Sequence, residues 1–464
     1  MLSLANVSAA QAENYYEKDD YYTQGDPDLQ SDSQWQGNGA EKLGLKGAVD
    51  KAIFQQLLHG QTPEGKSLHS KAINPENHRA ATDYTFSAPK SVSIAALIQK
   101  DKRVIQAHDE AVKTALQVLE NRYAQTRVRR GPGLREKVAT GNILAATFRH
   151  ETSREQDPQL HTHCVVINAT QMEGGKWQSL SNEEVLNNQK LLGEIYQNEL
   201  AVQLRKSGYE IEPNGSGQFE FKNYEQPLLD LFSTRTQQIE QYIERWEDSI
   251  KEVGGKPLNA TQKKQATLAT RLRKKSVPRE VLLDGWHRAI SAGEVTLPAP
   301  PEAAENEPTS QAQTAAIEGV NHASERESVF KVERAERFAL EHHLGEQSFA
   351  ELQTAMTDAG LLPAKNRYTT QTAIERELDT IAIMKSGQGK EIVIADDTKV
   401  WQLLRQELSL TEGQRQAIET TATTTDQFIA WQGVAGAGKT YSLKLVAQLA
   451  REQGYEVSGY APSV

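Results

Sequence analysis

The pattern of apolar and polar positions divides the chain into a strand-rich first part, a helical middle and a mixed end. DYTFSAPKSVSIAAL (83–97) predicts a strand, a break at Pro89 and the start of a helix. GNILAATFRH (141–150) and LHTHCVVINAT (160–170) are β-rich runs separated by the polar ETSREQDPQ. They predict neighbouring strands, joined as an antiparallel hairpin with a longer loop. From about 183 to 290 the spacing is mostly helical, and the amphipathic LLGEIYQNELAVQLRKSGY (191–209) stops at Gly208. LPAPPEAAENEPTSQAQTAA (297–316) has almost no large apolar residue and predicts a linker, because it cannot bury enough surface to offset ordering. Beyond it, ESVFKVERAERFALEHHLGEQSFAELQTAMTDAGLL alternates short helices with Gly breaks, predicting a small helical or winged-helix-like unit. Finally FIAWQ (428–432), a Gly-rich loop, YSLKLVAQLAREQG (441–454) and YEVSGYAPS predict strand, loop, helix and strand, the start of a parallel α/β sheet.

Composition adds limits. At 464 residues the chain has room for two to four domains. Its single cysteine excludes a disulfide framework and a Cys-rich zinc module. No apolar run approaches the roughly 20 residues of a membrane span, and MLSLANVSAA lacks the basic start of a signal peptide. A soluble, cytoplasmic protein without membrane insertion is expected.

With 52 Lys plus Arg against 62 Asp plus Glu, the net charge is −10, which argues against an indiscriminately basic nucleic-acid coat protein. Charge is segregated, however. Residues 13–32 carry seven acids and one base, while 121–137 hold Arg122, Arg127, Arg129, Arg130, Arg135 and Lys137 against Glu136 alone. Residues 263–275 hold Lys263, Lys264, Arg271, Arg273, Lys274 and Lys275 with no acid. A run of like charge is usually a solvated face. Two such stripes beside phosphodiester chemistry would instead contact DNA phosphates, with Arg127, Arg129, Arg130, Lys274 and Lys275 as the candidate contacts.

Two clusters supply that chemistry. His161 and His163 lie two apart on a predicted strand and so share a face; His150, ending the preceding strand, reaches the same patch if the strands pair. Three converging imidazoles make a divalent-metal site with open positions for a phosphate oxygen. The second cluster is NYYEKDDYYTQG, which places Tyr15, Tyr16, Tyr21 and Tyr22 among acidic neighbours rather than in an apolar stripe. A tyrosine hydroxyl assisted by a metal or base is a covalent nucleophile.

Together NYYEKDDYYTQG, TDYTFSAPKSVSI and TGNILAATFRHETSREQDPQLHTHCVVINAT resemble the relaxase domain of the MobF conjugative relaxases, the TrwC/TraI group, from the N-terminus to about residue 295. The resemblance implies an α+β HUH-endonuclease fold, in which a central antiparallel sheet carries three metal-binding histidines and helical fingers grip DNA. It implies nicking of one strand at a plasmid origin of transfer, leaving a 5′-phosphotyrosine and a free 3′-hydroxyl. By motif, His150, His161 and His163 would hold Mg²⁺ or Mn²⁺. Tyr15 would make the first cut with Tyr16 beside it, and Tyr21 and Tyr22 would serve a later strand transfer. Asp83 would help activate the tyrosine or orient a histidine. Single-stranded DNA at the origin, relaxosome accessory proteins and a type IV secretion coupling protein are the implied partners.

Near the end, Gly433, Gly436, Gly438, Lys439 and Thr440 fit the phosphate-binding pattern G-x-x-x-x-G-K-[ST]. Lys439 would reach the β/γ-phosphates of ATP and Thr440 its Mg²⁺. LTEGQRQAI (410–418) with this loop resembles the start of a superfamily 1 helicase, in which Gln414 would contact adenine. No Walker B acid follows before Val464, so ATP hydrolysis and unwinding are not expected of this chain. The expected division is a relaxase domain at 1–295, a flexible linker at 296–327, a small helicase-accessory domain at 328–405 and the truncated start of a RecA-like α/β domain at 406–464. The competing readings are a rolling-circle replication initiator or single-strand transposase, a non-catalytic origin-binding protein, and an ATPase. A helicase start directly behind the nuclease favours transfer.

Overall fold

The computed structural model describes residues 2–8, 33–69, 78–215, 217–252, 257–270, 277–303 and 309–460. Two compact units emerge, Met1–Tyr368 and Thr369–Val464.

The first unit is built on a five-stranded sheet of β1 (Leu2–Ser8), β2 (Ser33–Gln36), β3 (Arg79–Ser87), β6 (Ala145–Thr152) and β7 (Pro158–Ile167). Its order is β1-β3-β7-β6-β2, and every pairing is antiparallel. Between β3 and β6 in sequence, β4 (Gln125–Arg129) and β5 (Arg135–Ala139) form a separate hairpin. Alternation along the strands gives the sheet two faces. Tyr84, Phe86, Cys164 and Val166 point to one, where they pack with Val92 and Ile94 of α2 (Lys90–Leu97), Leu116 of α3 (Lys102–Val118) and Tyr196. Trp35, Phe148, Val165 and Ile167 point to the other, against Phe54 and Leu57 of α1 (Lys51–Leu58). Phe54 meets Phe148 edge-on at 5.4 Å.

The strand–Pro89–helix order and the β6–β7 hairpin follow the sequence expectation, although the strands run on and leave only residues 153–157 as the turn. α3 ends in a π-helical turn, Leu119–Tyr123, where the buried Glu120 carboxylate accepts from the backbone N–H of Asn38 (2.7 Å) and of Ile143 (2.8 Å). α4 (Glu183–Asn187), α5 (Gln189–Lys206), α6 (Thr234–Glu252), α7 (Ala260–Ala269) and α8 (Arg279–Ala292) make up the helical middle. α6 and α8 are fastened to the β6–β7 turn. Thr234 donates its N–H and hydroxyl to Asp157, each at 3.0 Å, and Trp286 Nε1 donates to the Gln156 carbonyl at 2.8 Å.

The structure departs from the sequence reading in two places. First, the segment read as linker through about residue 316 already contains helix α9 (Ala312–Ser324), whose Ala312, Ala315 and Ala316 are buried. α9 packs with α10 (Val332–His342) and α11 (Phe349–Asp358), and these helices cover α5. Small alanines achieve by close approach what the missing large side chains were expected to provide. Polar side chains of α5 form the docking surface. Asn198 bonds the Gly345 N–H (2.9 Å) and the Gln347 carbonyl (2.8 Å), Glu199 accepts from the Phe349 N–H (2.5 Å), and Arg337 pairs with Glu194 (3.3 Å). The compact unit therefore runs to Tyr368, past the boundary expected near 295.

Second, no strand forms at 428–432 or 455–460 in the other unit. A parallel-sheet strand needs neighbours for its backbone groups, and among the described residues of this unit beyond 370 there is no strand to pair with. The expected helix does form. α12 (Glu412–Thr423) and α13 (Lys439–Glu452) pack through Ile418, Leu445 and Val446. Among the described residues no helix is long and apolar enough to cross a membrane.

Candidate metal centre

Strand pairing brings the three histidines together. His150 lies opposite His161 across β6–β7, and His163 lies between Phe148 and Thr85 of the flanking strands. All three project from the face that carries Phe148 and Val165, beyond the end of that apolar cluster. Their ring centres are separated by 5.3 Å (150–161), 5.2 Å (150–163) and 5.1 Å (161–163). An ion about 2.0–2.1 Å from three imidazole nitrogens lies roughly 3 Å from each ring centre, so a ligating trio has centres on the order of 5 Å apart. The rings are at ligating distance, although among the described residues no group of three or more His, Cys, Asp or Glu side chains is already drawn into a metal-holding cluster. Small side-chain rotations redirect ring nitrogens, whereas strand register fixes where the rings stand.

The outer hydrogen bonds set the tautomers of the two β7 histidines. His161 Nδ1 is 2.9 Å from the Gln159 carbonyl, which can only accept, so Nδ1 carries the proton and Nε2 the acceptor lone pair. His163 Nδ1 is 2.8 Å from Asp83 Oδ2 and 3.1 Å from Thr85 Oγ1, which leads to the same tautomer. A histidine held by a carboxylate or carbonyl through one nitrogen and offering the other is the usual arrangement of a metal ligand. Asp83 is almost fully buried, and its second oxygen, Oδ1, has no hydrogen-bond partner among the described residues. A buried acceptor without a donor is costly, so this atom is suited to a donor that joins the site.

Behind the sheet lies His108, a residue that sequence spacing did not mark as special. Fully buried on α3, it bridges the Tyr196 hydroxyl and Thr162 Oγ1 at 2.8 Å each, and Thr162 sits between the two β7 histidines. Burial drives its pKa well down, so it stays neutral.

Of the other candidates, Tyr15, Tyr16, Tyr21 and Tyr22 lie outside the described residues, as do Lys274 and Lys275. The described residues on either side of the tyrosine segment are in the sheet: β1 ends at Ser8, and β2 begins at Ser33, which pairs with Phe148, two residues from His150. Arg127, Arg129 and Arg130 lie on the β4–β5 hairpin and its turn, where Arg127 meets Glu183 at 2.5 Å and Arg130 meets Glu136 at 2.6 Å.

In the second unit the Gly433–Thr440 loop runs into α13. Gly436 and Gly438 adopt left-handed φ of 77° and 78°. Lys439 Nζ turns back to the carbonyls of Gly433 (2.6 Å) and Val434 (3.0 Å). Gln414 Nε2 donates to the Ala437 carbonyl at 3.0 Å, which places it on the loop. A Cβ on Gly438 would meet Gln414 Nε2 at 2.1 Å, and a left-handed non-glycine residue costs about 1–2 kcal/mol. Gly438→Ala is accordingly expected to weaken nucleotide affinity about tenfold in a titration with fluorescent ADP; undiminished affinity would show that the loop does not bind phosphate in this form.

Residues 9–292 match the family described as TrwC relaxase, and residues 409–464 match an AAA domain family. The chain is 34% identical over 494 aligned positions to the multifunctional conjugation protein TraI of Escherichia coli, covering 98% of this chain and 26% of that protein. It is 39% identical over 302 positions to TraI of Escherichia coli strain K12, covering 62% and 16% respectively. It thus spans about a quarter or less of the length of these relatives. Among solved structures, TrwC complexed with a 27-mer DNA comprising the recognition hairpin and the cleavage site is 36% identical, with a TM-score of 0.56, covering 64% of this chain and 99% of that one. A metal-bound structure of TrwC with origin-of-transfer DNA is 37% identical at the same TM-score and coverage.

Proposed function

The chain belongs to the TrwC relaxase family, and from that premise we propose that it cuts one DNA strand at an origin of transfer and later rejoins it by transesterification. The observation that carries the reading is the trio of imidazoles with ring centres 5.1–5.3 Å apart, backed by Asp83. His150, His161 and His163 would hold a divalent ion, Mg²⁺ or Mn²⁺ in the cell, which supplies a Lewis acid for a phosphate oxygen. Asp83 fixes the His163 tautomer through Oδ2, and its Oδ1 is the acceptor available to a tyrosine hydroxyl. The hydroxyl oxygen of Tyr15, with Tyr16 beside it, attacks the scissile phosphorus. The tyrosine O–P bond forms, the bond from phosphorus to the 3′ oxygen breaks, and the departing oxygen takes up a proton as the free 3′-hydroxyl. Tyr21 and Tyr22 would serve the second transfer.

Arg127, Arg129, Arg130, Lys274 and Lys275 would contact phosphates on either side. In the second unit, Gly433, Gly436, Gly438, Lys439 and Thr440 would bind ATP/Mg²⁺, and Gln414, lying on the loop, would meet the nucleotide there. We read 1–295 as the relaxase body, with the helices to 368 fastened on it, and 406–464 as the beginning of a helicase motor. Relaxosome accessory proteins and a type IV secretion coupling protein would be its partners.

The test incubates the chain with Mn²⁺ or Mg²⁺ and single-stranded oligonucleotides tiling its replicon's transfer origin. A covalent protein–DNA adduct is expected on one oligonucleotide and is lost with EDTA or with Tyr15→Phe plus Tyr16→Phe. Tight binding without an adduct on any tile would favour a non-catalytic origin-binding protein instead.

A further inference from the structure

The β4–β5 hairpin carries an unusual charge pattern. Arg127 faces Lys137 and Arg129 faces Arg135 across the strands. Like charges directly opposite on a hairpin destabilise it, and positions two apart on a strand share a face. The four cations thus form a rectangle about 5 Å across and 7 Å long on one face.

The inner pair is not left to repel. Glu183, in the first turn of α4, stands 2.5 Å from Arg127 Nη2 and 2.8 Å from Lys137 Nζ, and Glu184 lies 3.0 Å from Lys137. The two cations hold the Glu183 carboxyl below its ordinary range. The outer pair is different: among the described residues no carboxylate pairs with Arg129 or Arg135, and Arg129 donates only to the Gly131 carbonyl (3.2 Å). One half of the rectangle holds an anion of the chain itself, and the other half is open to solvent.

A carboxylate bridging two cations in this way makes the contacts a phosphate oxygen would make. We propose that Glu183 occupies the place of a DNA phosphate on the hairpin, so that α4 competes with DNA for the inner cations while the outer pair makes first contact. The device rests on the DNA-cutting reading above. Because Arg127, Lys137 and Glu183 are exposed, the latch is weak and easily displaced, as suits a competitor that must yield to DNA.

The test measures binding of the full chain to a fluorescein-labelled single-stranded oligonucleotide, by anisotropy, across a series of salt concentrations. Glu183→Gln is expected to tighten binding about three- to tenfold at low salt and to steepen the dependence of log K on log salt by about one. Adding Arg127→Gln and Lys137→Gln should erase that gain, and thermal midpoints confirm that each variant is folded. If Glu183→Gln, with an unchanged midpoint, binds no tighter, or if its gain survives loss of both cations, the latch is refuted. A wild-type chain that binds no DNA would overturn the DNA-cutting reading itself, whereas wild-type binding with an indifferent Glu183→Gln removes only the latch.

Discussion

His161→Ala combined with His163→Ala is expected to abolish tight divalent-metal binding, a greater loss than the roughly 10–100-fold that removal of an outer-sphere partner costs. Both imidazoles carry their ligating lone pair on Nε2, since Nδ1 of each faces an acceptor, the Gln159 carbonyl or the Asp83 carboxylate. Losing both leaves His150 alone, and a single imidazole does not hold an ion against water. Asp83→Asn should show the smaller, outer-sphere effect, because an amide can no longer accept as a carboxylate does. A donor set of three neutral imidazoles also predicts an order of affinity. Mn²⁺ should bind more weakly than Co²⁺, Ni²⁺ or Cu²⁺, and Mg²⁺, which prefers oxygen, more weakly still. Isothermal titration of the wild-type chain and the double variant checks both expectations. Unchanged affinity in the double variant would remove the metal centre from this face of the sheet.

Glu336→Ala is expected to destabilise the first unit by about 3–5 kcal/mol. Glu336 on α10 is 2% exposed and takes Arg122 Nη1 on both its oxygens, at 2.9 and 3.1 Å. Arg122 belongs to the π-helical turn that leads into β4, so the pair joins the late helices to the core built on the five-stranded sheet. Removing the carboxylate leaves a largely buried guanidinium unpaired, which costs far more than the pair itself contributes. Replacing both residues by apolar ones, Arg122→Met with Glu336→Leu, should therefore cost much less than Glu336→Ala alone. Denaturant unfolding followed by near-ultraviolet circular dichroism reads the difference. A cost below about 1 kcal/mol for Glu336→Ala would mean that α9–α11 are not integral to this unit.

How far the sequence foretold the structure follows from the range of the forces involved. The β3–Pro89–α2 segment and the β6–β7 hairpin are encoded locally, by alternation and by a proline, and both were legible. The histidine patch was legible because an HxH pair on a strand leaves one free variable, the partner strand, and its register puts His150 opposite His161. What escaped depends on partners distant in sequence. The polar face of α5 reads as solvent-exposed until Gly345, Gln347 and Phe349 are placed against Asn198 and Glu199. The basic stripe at 121–137 reads as free charge until Glu183 and Glu184 are placed on it. His108 had no motif, since its partners Thr162 and Tyr196 come from two other elements. The strand expected at 428–432 failed for a related reason: apolar pattern proposes a strand, but pairing makes one.

The proposed covalent joining of a tyrosine to DNA is tested most directly by peptide mapping of the adduct by mass spectrometry after nuclease trimming. The expected result is a 5′-phosphonucleotide on the tryptic peptide that contains Tyr15 and Tyr16, formed only when a divalent ion is present. Strand cleavage with no modified tyrosine on any peptide, or an adduct that persists in EDTA, would contradict the account.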